Sequence, residues 1–320
     1  MQPNSPQLDE HGFPIPPTFA GAGDPRGRVG RVGRHAWRTA LVLVFMVLLG
    51  TAAVRHGVVD SVKELLVQQF LHSAQKQALQ DDLPGALAKL DWVVAWAPDE
   101  PDAFEMRARC RLGMNDLQGS LADFNRVIEL DGRSASAYSG RGGALLRLNR
   151  QREAIDDLTQ AIKLSPEHDP GPRNDRAYFR AIAGIELQEG LDDVNAALAL
   201  VQSQLNAIPT EREHPRMRLF RARPNREKAM YLDTRGTLYL LLGENDKALS
   251  DLEEALDLAE DSMRVMFDQH PYVQRIRSRE LAVMYHHRGQ IHQMLGNTEQ
   301  AQRDLRRGQE LGYNPADGVY

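Results

Sequence analysis

One cysteine in 320 residues, Cys110, leaves the chain without an internal disulfide. Its stability must come from burial and polar pairing, and its redox compartment stays open. Aromatic residues are scarce at 6%, and together with 25 glycines this argues against a turn-rich β-sandwich. A basic excess is missing as well. Residues 1–54 hold five Arg against Asp9, Glu10 and Asp24, so the remainder carries 34 basic and 41 acidic groups, a net −7 within a total of −5. Such an acidic body offers no electrostatic case for nucleic acid. The glycines of "GRVGRVGR" follow no strand, so they make no phosphate-binding loop. Neither a Ser–His–Asp set nor a paired-carboxylate site stands out, and no catalysis or cofactor is implied.

Long apolar runs are equally rare, and the one present lies near the N-terminus. Residues 1–36 carry six prolines and scattered glycines, a composition that predicts a disordered tail. Then comes "RTALVLVFMVLLGTAAVR", with 16 uncharged residues between Arg38 and Arg55, nine of them Leu, Val or Phe. Those nine favour a bilayer by roughly 3–5 kcal/mol. Sixteen helical residues reach about 24 Å against a hydrocarbon core of about 30 Å, so Trp37 at the interface and snorkelling Arg38 and Arg55 must close the gap. Residues 37–56 are therefore expected to form a transmembrane helix. A secretory signal cleaved near "GTAAV" is the competing reading. Arg26, Arg28, Arg31, Arg34 and Arg38 precede the span, which by the positive-inside rule leaves the tail cytoplasmic and the rest outside, periplasmic in a double-membrane bacterium.

What the chain has in quantity is repetition. "RGGALLRLNRQREAIDDLTQAIKL" from Arg141 returns as "RGTLYLLLGENDKALSDLEEALDL" from Arg235 and "RGQIHQMLGNTEQAQRDLRRGQEL" from Arg288. Further windows open at Arg107 and, more weakly, at Ser73, so that 73, 107 and 141 are spaced by 34 residues. A fixed period in this range signals stacked supersecondary units. Each window reads as two amphipathic helices around a short turn. Ala108, Gly142, Gly236 and Gly289 on the first helix are answered twelve residues later by Ser120, Ala154, Ala248 and Ala301 on the second, small residues where two helix axes would cross. Pro98 and Pro166 end second helices.

These small residues, the aromatics, the "LG" turn and the closing proline resemble the tetratricopeptide repeat. The resemblance implies an all-α, right-handed solenoid over residues 57–315, with units near 67–100, 101–134, 135–168, 229–262 and 282–315 and a divergent pair at 172–208. One unit cannot bury its apolar face alone, whereas stacked units can. It further implies a scaffold for a protein or peptide partner, with first helices lining a concave face. Concave candidates are then Asp102, Glu105, Arg109, Ser139 and Arg147, with Asp233, Thr237, His286 and Gln290 further along. Some members grip a terminal carboxylate with Lys and Asn one turn apart on the first unit; Leu71 and Gln75 stand there instead, so that clamp is not expected.

Arg107/Asp123, Arg141/Asp157, Arg235/Asp251 and Arg288/Asp304 recur at a separation of sixteen and read as repeated surface or inter-unit ion pairs, at about 0–1 kcal/mol each. His286, His287 and His292 lack metal-site spacing and read as helix-surface residues with His292 partly packed. Cys110 reads as a buried small hydrophobe. The basic stretch 206–228 interrupts the acidic body and reads as a linker with Pro209, Pro215 and Pro224, or as an anion-binding patch through Arg216, Arg218 and Arg221.

Overall fold

The computed structural model describes residues 52–209, 217–265 and 271–313 of the protein. Contacts divide the chain into two compact units, 1–63 and 64–320. The expected tail and most of the apolar run 37–56 lie outside the described residues; only 52–56 are seen, as the opening of a helix. No helix among the described residues is long and apolar enough to cross a membrane.

The described residues form twelve α-helices: α1 Ala52–Leu79, α2 Leu83–Trp96, α3 Pro101–Gly113, α4 Leu117–Leu130, α5 Ala135–Arg147, α6 Gln151–Leu164, α7 Gly171–Ala183, α8 Leu187–Asn206, α9 Met217–Leu241, α10 Asn245–Val265, α11 Pro271–Met294 and α12 Thr298–Glu310. Within residues 64–320 each helix packs against its successor, and the first helices α3, α5, α7, α9 and α11 also touch one another in order. That is the neighbour pattern of a solenoid.

The turn inside each hairpin is set by one residue. Asp81, Asn115, Asn149, Gly184, Gly243 and Gly296 all have positive φ, between 60° and 78°. Each lies eight positions after a repeat start, at 73, 107, 141, 176, 235 and 288. A left-handed residue ends the first helix and turns the chain back, and Gly, Asn and Asp adopt it at least cost. The start at Arg176 places the divergent pair in register with the other five. There the turn holds an extra residue, Glu186 at φ 49°, which delays everything after it by one position. Two of the following helices are capped by a side chain: Asp82 accepts from the Gly85 N–H at 2.9 Å and Asp116 from that of Gly119 at 3.0 Å.

At the hairpin crossings the small residues are fully covered, with Ala108, Ser120, Ala154 and Ala248 at 0% exposure. A Cβ added to Gly142 would lie 3.2 Å from the Ala154 carbonyl oxygen, and one on Gly236 would lie 3.3 Å from that of Ala248. Side chain meets backbone there, so the axes come as close as helices can. Around the crossings an apolar seam runs from Val67, Leu90 and Val93 through Phe104, Phe124 and Val127 to Leu145 and Leu158. It ends in the largest cluster, with Val194, Val201, Leu232, Leu238 and Leu256. Cys110 is buried in the first of these groups, and burial pushes its thiol upward.

Polar pairing follows the same register. Arg107, Arg141, Arg235 and Arg288 each hold the Asp sixteen residues on through two hydrogen bonds of 2.6–2.9 Å. Arg176 holds Asp193 likewise at a separation of seventeen, the extra turn residue being absorbed. These are not weak surface pairs. Asp157, Asp251 and Asp304 are each only 7% exposed, and the guanidinium lies over a ring, Arg141 on Tyr138 at 5.4 Å for example. The remaining N–H of the same Arg reaches back to the preceding hairpin: Arg107 to Asp91, Arg141 to Asn125, Arg176 to Thr159 and Arg235 to Asn195. Each of these four arginines therefore ties two hairpins together. In the first hairpin Lys89 and Ser73 occupy the two positions, 2.5 Å apart.

Reading the basic stretch as a linker fails from Met217 onward. Residues 217–228 are the first turns of α9, with Pro224 inside it, and residues 210–216, including Arg216, lie outside the described residues. Its cations meet the surplus acids of the neighbouring helices: Arg218 pairs with Asp261, Arg226 with Glu280, and Lys228 with Glu254. Arg221 donates to the Leu205 and Ile208 carbonyls at 2.8 and 2.9 Å, closing the end of α8.

Two stability outcomes follow from these contacts. Asp157→Ala strands a half-buried guanidinium and is expected to cost about 2–4 kcal/mol in urea unfolding, whereas Glu299→Ala on the exposed Arg303 pair costs under about 0.5. A Cβ on Gly143 meets only Leu112 at 3.8 Å, so Gly143→Ala stabilises by about 0.5–1 kcal/mol. On Gly308 it would sit 2.9 Å from the Ala282 carbonyl oxygen, so Gly308→Ala destabilises by about 1–3 kcal/mol.

Candidate functional site

Five first helices converge on one groove of about 560 Å³ within residues 64–320. Its shape is a consequence of side-chain size. The sequence "SAYSGRGGALLR" gives α5 Ser136, Ser139, Gly140 and Gly143 along most of its groove side, so the wall recedes there. Opposite stand Asn174, Asp175, Tyr178 and Phe179 of α7, with Met230, Asp233 and Thr234 of α9 and Glu280, Val283 and Met284 of α11 closing the far side. Arg109 and Leu112 of α3 and Leu146 and Arg147 of α5 form the near end. A smaller recess of about 390 Å³ lies between α1 and α3, lined by Gln68, Leu71, His72 and Gln75 with Asp102, Glu105, Met106 and Arg109.

Of the concave candidates, Asp102, Glu105 and Arg109 border the smaller recess, and Arg109, Ser139, Arg147 and Asp233 line the groove. Thr237, His286 and Gln290 line neither. Thr237 donates to the Asp233 carbonyl, His286 stacks on Tyr313 with centroids 3.9 Å apart, and Gln290 is exposed. Arg218 and Arg221 are engaged within the fold as described, so neither offers the expected anion patch.

The electrostatics are mostly closed. Arg109 pairs with Glu105 at 2.8 Å, and Arg147 donates to the Leu112 carbonyl and to Asn115 Oδ1, both at 2.8 Å. Glu280 is held by Arg226. His287 is a correction to the surface reading: it is enclosed between α9 and α11, with Nδ1 2.8 Å from Asp233. Burial alone would lower its pKa, but the Asp233 carboxylate outweighs that and leaves the imidazole above its ordinary value. His292 is buried as well, within 3.9 Å of Asp304.

Asp175 differs from all of these. Burial, reinforced by the like charge of Asp169, pushes its carboxyl up to about 6, and no hydrogen-bond or ion-pair partner faces it among the described residues. Beside it, Asn174 is 7% exposed and its Oδ1 has no hydrogen-bond partner. Neither was among the concave candidates. The available signal was the repeat register: counted from Arg176, Asn174 stands where Glu105, Ser139, Asp233 and His286 stand in their own hairpins. The irregular turn at Glu186 hid that alignment.

Comparison with known proteins agrees with this architecture. The family model for the tetratricopeptide repeat matches residues 135–168 and 231–262. Among curated relatives, "DnaJ homolog subfamily C member 3" of Rattus norvegicus is 25% identical over 239 residues, covering 72% of this chain and 44% of that protein. "Tetratricopeptide repeat protein 34" of Xenopus laevis is 31% identical over 104 residues, covering 31% of this chain and 18% of its own length. The chain thus spans less than half of these relatives. Among solved structures, a tetratricopeptide repeat protein from Parabacteroides merdae superposes with a TM-score of 0.57 at 17% identity, covering 90% of this chain and 96% of that one. The type IV pilus biogenesis factor PilW gives 0.50 at 15% identity, covering 75% and 90%. At these identities the structures share the fold alone. The chain carries tetratricopeptide repeats, in an all-helical solenoid.

The raised Asp175 has a thermodynamic consequence. A carboxyl titrating near 6 when folded and near 3.9 when unfolded favours folding below about pH 4, and that advantage disappears as pH rises to about 6. Asp175→Asn is therefore expected to exceed the parent in stability by about 1–2 kcal/mol above pH 6, the difference vanishing below pH 4. His287 has the same sense, here through an ion pair: its contribution is full below about pH 6.5 and is lost as pH rises through its raised folded value, so His287→Gln costs more at pH 6 than at pH 9.

Proposed function

We propose that the protein is a membrane-anchored repeat scaffold that holds an extended segment of a partner protein in its concave groove and catalyses nothing itself. The observation that carries this reading is the groove. Its walls come from five successive first helices, it is open over α5 because the side chains there are small, and apolar Phe179, Met230, Val283 and Met284 are left to cover a ligand. Stacked helical hairpins present such a trough on a rigid frame, which lowers the ordering cost of binding. The groove draws further support from the tetratricopeptide-repeat match, a fold that serves many partners, so the partner's identity is a matter for capture rather than analogy. The alternative seat, a regulatory contact through the basic stretch, has less to offer a ligand, because Arg218 is paired with Asp261 at the surface and Arg221 is held by the Leu205 carbonyl.

Anchoring rests on the composition of residues 37–56 and on the arginines before it. It places the tail in the cytoplasm and the solenoid across the membrane, in the periplasm of a double-membrane bacterium. Two measurements check both halves. A photo-crosslinking residue at Ser136 or Ser139 is expected to capture a partner in native membranes, while one at exposed Glu129 of α4 captures none, and Gly143→Trp should abolish the adduct. Equal capture at Glu129 would remove the groove from consideration. The mature chain should stay with the membrane at 35.9 kDa; a soluble product about 53 residues shorter would mean a cleaved signal and a secreted scaffold.

A further inference from the structure

We infer that the α7 wall of the groove is a subsite for one basic side chain, lysine or arginine, carried by the extended segment of the partner protein. This rests on the groove reading above and adds to it the chemistry of the occupant. The charged side chains around the groove are Arg109 on α3, Arg147 on α5, Asp175 on α7, Asp233 on α9 and Glu280 on α11. Four of them have partners, in Glu105, Asn115, His287 and Arg226 respectively. Among the described residues Asp175 is left without one.

Its neighbour points to the same ligand. Asn174 is more than nine-tenths buried, lines the groove and leaves Oδ1 without a donor. A buried acceptor with no donor is unfavourable, and a bound N–H group relieves it. Two adjacent acceptors, one of them anionic, ask for a cation with several donors, which describes an ammonium or a guanidinium. A hydroxyl would satisfy Asn174 and leave the Asp175 charge unmet, and a carboxylate would be repelled. One helical turn on, Tyr178 and Phe179 offer ring surface for the alkyl stem of lysine or the plane of arginine. The small residues of α5 opposite leave the path of entry open. Arg109 and Arg147 at the near end disfavour a cation there, so the basic residue is seated at α7.

The test pans a phage-displayed library of random dodecapeptides on the full-length protein in detergent, and in parallel on Gly143→Trp and Asp175→Asn. Selected sequences are expected to share a Lys or Arg at one position. Replacing it with norleucine should weaken binding by about 10- to 100-fold, Asp175→Asn should do the same, and Asp175→Glu should recover part of the loss. Unfolding curves separate lost binding from lost fold. Peptides without a shared basic residue, or bound equally by Asp175→Asn, overturn the subsite while the groove stands, provided Gly143→Trp blocks them. No enrichment over Gly143→Trp overturns both.

Discussion

Two helices can cross at backbone distance only where neither carries bulk, and every other feature of this solenoid is arranged around that constraint. With Gly142 against the Ala154 carbonyl, or Gly236 against that of Ala248, the hairpin closes until water is excluded between its helices. The aspartate one turn beyond the crossing is then caught inside, and only a guanidinium in the matching place can satisfy both of its oxygens. Because that guanidinium has a further N–H to spend, it reaches the hairpin before. Close packing within one unit thus creates the polar link between units, and stacking order follows from the same residues as hairpin closure.

The same accounting explains where charge is spent. An acidic body with one basic stretch reads as a body with a linker or a binding patch. In three dimensions the basic residues are the counter-charges for α8, α10 and α11, whose lengthened ends would otherwise expose clustered carboxylates and open carbonyls. The opening turns of α9 carry the cations to those acids, and Pro224 is tolerated within the helix despite the hydrogen bond it forgoes. What is conspicuous in composition is thereby consumed by structure, and the group left over, Asp175 beside Asn174, is inconspicuous in composition.

The groove itself arises from an asymmetry between adjacent units. Along most of the groove α5 presents Ser and Gly, with Leu146 and Arg147 at the near end, whereas α7 presents Asn, Asp, Tyr and Phe. A regular repeat would present the same face six times; here a receding stretch of α5 opposite the bulky polar wall of α7 opens the pocket. The irregular turn at Glu186 belongs to the same unit, so the departure from the repeat pattern and the departure from charge balance coincide.

The sequence alone determined the all-helical repeat, its 34-residue register, the small residues at each crossing and the positions of the Arg–Asp pairs, because these recur at fixed spacing and a hairpin tolerates few alternatives at each. It also placed first helices toward one face, which brought Ser139, Arg147 and Asp233 to the groove. Only the tertiary structure decided the rest. Whether a charge is met depends on residues far apart in the chain, as with His287 and Asp233 or Arg226 and Glu280, at a separation of 54 in both cases. No local pattern carries that distance. Asp175 stands without a partner among the described residues for the same reason: being unpaired is a property of everything around a residue, and the chain order does not display it.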